Sequence, residues 1–180
     1  MRSALHYFNL MRSPQAILAL LTLLAASCAT APTQRTQGGR FLKSPVTAGK
    51  PGKRMTVRTT AYTHTEAGGR NNAIGTRLRF GGSSSSAATD WSWMPLGTRF
   101  KLCCANRNYV VEDYGSALVG RKTIDLYMPT RGTMNQWGVR NVEIEILEWG
   151  SRAVSLKLLS GRQRAGYVRT MVAALRRQGP

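Results

Sequence analysis

The sequence predicts an all-β domain. Three observations carry that prediction: short segments of period-2 alternation recur from residue 55 to residue 159, clusters of Gly, Ser, Asn and Pro separate them, and only one short stretch among them has helical spacing.

The elements follow in order. Met55–Thr63 sets Val57, Thr59 and Ala61 against Arg58, Thr60 and Tyr62, as a half-buried strand does. Gly81–Ala88 reads GGSSSSAA, a low-complexity run expected to be a flexible loop. Arg99–Leu102 and Tyr109–Glu112 are two strands joined through a turn at Asn106-Arg107-Asn108. Thr123–Tyr127 is another strand, and Thr130–Trp137 is the one short helix. Val142–Ile146 alternates cleanly, with Val142, Ile144 and Ile146 inward and Glu143 and Glu145 outward. Ala153–Leu159 is expected to be a further strand. Gly166–Gln178 changes period: Val168, Met171, Val172 and Leu175 share one helical face, giving a basic amphipathic helix. That face suits either a membrane surface or packing on the barrel.

The formal net charge is +18, which first suggests a polyanion as partner. Its distribution argues against nucleic acid. Residues 1–54 hold eight Lys and Arg and no acid, and residues 152–180 hold seven and no acid. Residues 55–151 hold eleven basic and eight acidic residues, a surplus of only three. The N-terminus adds a second argument, because it reads as an export signal. Arg2 and Arg12 precede the apolar run Ala16–Ala26, which is too short to span a bilayer. Ala25-Ala26-Ser27-Cys28 resembles a lipobox, with Cys28 as the lipidated residue; the rival is cleavage after Ala29-Thr30-Ala31. The expected location is the periplasm or cell envelope, membrane-anchored through Cys28.

Composition also limits the chemistry. Of the two histidines, His6 falls in the signal segment, leaving His64. Sites built from several histidines are excluded, and no GxSxG elbow supports a serine triad. Cys103 and Cys104 are adjacent, too close for an unstrained bridge; we expect one buried and one at the surface. There is no metal or cofactor signal.

The three aspartates lie in three ordered segments: Asp90 with Pro95-Leu96-Gly97-Thr98, Asp113 through Gly120, and Ile124-Asp125-Leu126-Tyr127. An aspartate in a turn is ordinarily a cap. Asp125 is different, since a charge on an apolar strand is costly without a partner. Together with Thr60-Ala61-Tyr62 and Trp137-Gly138-Val139-Arg140, these segments resemble the 3D (three-aspartate) domain over about residues 55–150. That domain is the catalytic barrel of membrane-bound lytic transglycosylase A and of spore-resuscitation wall enzymes.

The resemblance implies a six-stranded double-psi β-barrel, here with a basic C-terminal helix. With the segments read from the residues, the expected domains are a signal peptide over 1–27, a basic Pro/Gly linker over 28–54, the barrel over 55–150, and an extra strand plus the basic helix over 151–180. The resemblance implies lytic transglycosylase activity on peptidoglycan glycan strands: cleavage of the β-1,4 bond between N-acetylmuramic acid and N-acetylglucosamine, leaving a 1,6-anhydro end. The C6 hydroxyl of the sugar attacks, so one carboxyl serves as acid and then base. Asp125 is the candidate, Asp113 its like-charged neighbour, and Asp90 a residue that orients them or binds sugar. Tyr62, Thr98, Tyr114 and Gly115 are expected to line the groove. Trp91 and Trp93 suit sugar stacking or barrel packing. The alternative function is a glycan-binding envelope module without turnover.

Overall fold

The structure is a computed structural model, and it describes residues 52–66 and 68–179. The expected signal peptide, Cys28 and the linker up to residue 51 lie outside the described residues.

Six strands close into a barrel in the order β1-β5-β2-β4-β3-β6. They are β1 (Arg54–Tyr62), β2 (Ser85–Ala88), β3 (Arg99–Leu102), β4 (Arg107–Asp113), β5 (Thr123–Tyr127) and β6 (Arg140–Glu148). β1 pairs with β5, and β2 with β4, in parallel; every other neighbouring pair is antiparallel. Exchanging β1 with β4, β2 with β5 and β3 with β6 leaves this pairing scheme unchanged. That internal two-fold, with two parallel pairs that each join one half to the other, is the double-psi arrangement. Closure leaves no edge strand to protect.

Alternation decides which residues fill the barrel. Val57, Ile124, Leu126, Val142, Ile144 and Ile146 are buried in one core, and Phe100 stacks on Tyr109 with ring centroids 5.6 Å apart. On the outer side of the β1–β6 ladder, Arg54 pairs with Glu143 at 3.5 Å and Glu145 at 3.7 Å.

Two expectations are overturned. The supposed flexible loop over Gly81–Ala88 contains β2, a central strand whose four residues are all buried. Small side chains fit there, because all four residues are buried and Ala88 sits between two aspartates on the groove floor. Its hydroxyls are satisfied: Ser85 Oγ accepts from Gly81 N, and Ser86 Oγ accepts from Arg79 N and donates to Glu112. The expected seventh strand, Ala153–Leu159, is a helix, α2 (Arg152–Ser160). Ser151 caps it by accepting from Val154 N, and Ser155 and Leu159 are buried at i, i+4 spacing. A closed barrel offers no edge on which a seventh strand could pair.

Helix α1 (Arg131–Trp137) forms where helical spacing indicated it, capped by Thr130. Helix α3 (Gly166–Arg177) buries Val168, Met171, Val172 and Leu175 in the protein's own core. Of its two expected uses, packing on the barrel is therefore the observed one. Cys103 and Cys104 occupy a single 3₁₀ turn; the second is at the surface as expected, while the first is half-buried rather than buried.

Candidate active site

A groove of about 640 Å³ opens over one side of the barrel, lined by residues that include Tyr62, Glu66, Ala88, Asp113, Tyr114, Gly115, Asp125 and Tyr167. Four consecutive strands build its floor. On β5, Ile124 and Leu126 enter the core, so alternation turns Asp125 to the other face. Ala88 of β2 stands opposite Asp125 on one side and Asp113 of β4 on the other. The two aspartates thus flank one alanine, their Cα atoms separated by two interstrand spacings, about 10 Å.

A β-bulge aims Asp113. Ala87 pairs with Val111, but Ala88 pairs with Asp113, so Glu112 is the extra residue on β4. Val111 is in the core, and strict alternation would send Asp113 inward after it. The inserted Glu112 reverses that phase and turns Asp113 to the groove. Glu112 itself is buried, where it pairs with Arg79 and accepts from Ser86 Oγ.

Both carboxyls are half-buried and held. Thr60 Oγ1 donates to Asp125 Oδ1 at 2.7 Å. Asp113 Oδ1 accepts from Ala73 N at 3.1 Å and Tyr114 N at 2.9 Å, and its Oδ2 accepts from Tyr62 O–H at 3.3 Å. Burial pushes the Asp125 carboxyl up to about 6; the Thr60 hydrogen bond opposes this, while the Glu66 and Asp113 charges add to it. Burial also raises Asp113 above the ordinary carboxylate range, against the three hydrogen bonds it accepts. Tyr62 is pushed far up by burial and by the adjacent carboxylates, so it stays a phenol and a donor.

The structure brings together Tyr62, Asp113, Tyr114, Gly115 and Asp125 from the sequence-predicted set. It places Asp90 and Thr98 elsewhere. Asp90 is 3% exposed and its carboxylate is fully engaged: Oδ1 accepts from Ser92 N and Oγ, and Oδ2 from Gly120 N. Asp90 therefore braces the loop that follows Asp113 and carries Tyr114 and Gly115. Thr98 is completely buried, donating to Pro95 O and accepting from Gly150 N. Thr98 N also closes a turn onto Pro95 O, and Gly97 at φ +89° supplies the conformation that turn needs. Trp91 is completely buried, its Nε1 donating to Asp113 O, so it packs rather than meeting a ligand. Trp93 is half-buried and lines a separate cavity beside Asp90.

Glu66, Thr60 and Tyr167 are site residues that sequence reasoning missed. Thr60 had a signal, since it begins the Thr60-Ala61-Tyr62 motif and lies on the same strand face as Tyr62. Glu66 and Tyr167 reach the groove only through the fold. Among the described residues, no group of three or more His, Cys, Asp or Glu is placed to hold a metal ion.

Residues 85–148 match the family model described as the 3D domain. The chain is 36% identical over 98 residues to the putative cell wall shaping protein YabE of Bacillus subtilis (strain 168), covering 53% of this chain and 23% of that one. It is 30% identical over 99 residues to the cell wall-binding protein YocH of the same organism, covering 53% and 33%. The chain thus spans about a quarter to a third of the length of these relatives. The matched segment holds Asp90, Asp113 and Asp125, while β1, which closes the barrel and contributes Thr60 and Tyr62, lies before it. The match to the 3D domain thus covers residues 85–148, which hold five of the six barrel strands.

Proposed function

We propose that this protein is an exported lytic transglycosylase of the cell wall that cleaves peptidoglycan glycan strands. The observation that carries the proposal is the pair of half-buried carboxyls, Asp113 and Asp125, flanking Ala88 on the floor of an open groove. The relatives' names, cell wall shaping and cell wall-binding protein, support the association with the wall. The basic N-terminal segment and Cys28 support placement in the envelope, as a membrane-anchored lipoprotein.

Asp125 is the proposed general acid and base. With its pKa raised to about 6 it retains a proton in roughly one molecule in ten at pH 7. An ordinary aspartate retains far less. In the proposed reaction its proton passes to the glycosidic oxygen as the C1–O4 bond breaks. The C6 hydroxyl of the same muramic acid residue attacks C1, and the C1–O6 bond forms. The hydroxyl proton returns to the Asp125 carboxylate, so the enzyme ends as it began. Asp113, held by Tyr62 and two backbone N–H groups, would face the positive charge that develops on the ring. Burial, with a smaller contribution from the Glu66 charge, would keep the Asp125 pKa high, and Asp90 would position the loop bearing Tyr114.

Digestion of purified sacculi tests this. The unmodified chain is expected to release fragments ending in 1,6-anhydro-N-acetylmuramic acid, and Asp125→Asn to release none while remaining folded. Release unaffected by Asp125→Asn would refute the assignment. A second reading, a glycan-binding module, is favoured by the name of the wall-binding relative. It predicts sedimentation with sacculi and no soluble product from either chain.

A further inference from the structure

We propose that Tyr167 is the stacking platform of a saccharide subsite, so that the α2–α3 hairpin forms one wall of the groove. The inference rests on the groove being a glycan site, and it concerns residues beyond the 85–148 family match.

Three aromatic rings run from the core to the groove surface. Trp91, completely buried and fixed by its bond to Asp113 O, meets Tyr114 edge-on at 4.9 Å between centroids. Tyr114 in turn meets Tyr167 at 6.3 Å with the rings tilted by 55°. Tyr167 lines the groove and is 38% exposed. Its position on α3 explains both facts. It directly precedes Val168 at the margin of the buried stripe, so the stripe anchors the helix while Tyr167 stays partly uncovered. The hairpin is also tied to the loop that holds Asp113: Arg162 Nη1 donates to Ala73 O at 2.5 Å, and Ala73 N donates to Asp113 Oδ1.

A pyranose has an apolar C–H face and a polar hydroxyl rim. A tyrosine offers a flat apolar ring face and a phenol at its edge, which suits such a ligand. Asn71 and Ser116 line the same groove and supply an amide and a hydroxyl of the kind that fix orientation in such sites. The ligand class is a β-1,4-linked, N-acetylated glycan, with one of its sugars on Tyr167 and the scissile linkage at Asp125.

The test uses the full chain carrying Asp125→Asn, so that binding is read without turnover, and uncrosslinked glycan strands released from sacculi. Calorimetry should show Tyr167→Ala weakening Kd about tenfold, and Tyr167→Phe keeping it within about threefold. In the active chain Tyr167→Ala should raise KM and leave kcat unchanged. Tyr167→Leu, which keeps apolar cover on the helix, should weaken binding as the alanine variant does. Equal affinity in the alanine or leucine variant overturns the subsite. If the parent itself binds no glycan, the glycan reading of the groove and the subsite fall together. Labelling with 3-fluorotyrosine gives a readout independent of any folding defect: the Tyr167 resonance must move on adding glycan, and a static resonance overturns the proposal.

Discussion

Asp125 illustrates how a single residue can be legible for a reason that the fold then refines. Its place between Ile124 and Leu126 suggests a charge on an apolar strand, yet alternation turns those neighbours inward and Asp125 outward. Its raised pKa comes from the walls of the groove, with Glu66 contributing from a loop. The shift has a consequence for stability. A carboxyl whose folded pKa is raised keeps its proton longer in the native state than in the unfolded one. The native state is therefore favoured below the unfolded value of about 3.9, and that advantage is lost as pH rises toward about 6. Asparagine keeps the Oδ1 acceptor for Thr60 and removes the charge. Asp125→Asn should thus stabilise the protein by about 1–3 kcal/mol at pH 7–8, after allowing for screening at a half-buried site. At pH 4 the gain should shrink to a few tenths. Denaturant melts at the two pH values measure this, and a variant less stable at pH 7 would contradict burial as the dominant cause.

At the scale of elements, legibility tracked how far local pattern and tertiary demand agreed. The period-2 alternations of β1 and β6 agree with a core on one face, and both were readable. β2 was not, because serine and alanine have little strand preference and are required there by close packing. α2 was misread because Val154, Leu156 and Leu158 fit a period of two, while the buried positions are Ser155 and Leu159. The motifs around Asp113 and Asp125 marked the groove. Those around Asp90 and Thr98 marked the turns that hold it, and residue type does not separate the two roles. The bulge at Glu112 is equally hidden in the sequence, yet it sets the direction of Asp113. Glu112→Ala should leave Ser86 and Arg79 without their shared acceptor and destabilise the fold by about 1–3 kcal/mol. Arg79 is half exposed and can turn to water, so the cost stays below that of a fully buried pair. Chemical denaturation reads this directly, and a loss under 0.3 kcal/mol (roughly the scatter of surface substitutions) would remove Glu112 as the lock on the bulge.

For the whole molecule the question is what the charge of +18 is for. Among the described residues only Arg54 and Arg79 form ion pairs with acids. Over residues 152–180 the α2–α3 hairpin holds seven cations and no acid; Arg162 and Arg169 donate to backbone carbonyls, while Lys157, Arg176 and Arg177 are exposed. The groove, by contrast, has Glu66, Asp113 and Asp125 at or near its floor. The proposed attachment and the proposed chemistry would thus depend on charges of opposite sign, and salt should separate them. Exposed charges are screened over about 10 Å at 0.1 M and about 3 Å at 1 M ionic strength. Sedimentation with anionic sacculi should fall at least tenfold between those conditions. Turnover or binding of short, uncharged glycan fragments should change less than twofold. Lys157→Gln combined with Arg177→Gln, both exposed and outside the groove, should lower sedimentation at 0.1 M salt without changing the affinity for short fragments. Should salt weaken fragment binding and sedimentation equally, the basic surface and the groove would be one site, and the charge would belong to the chemistry.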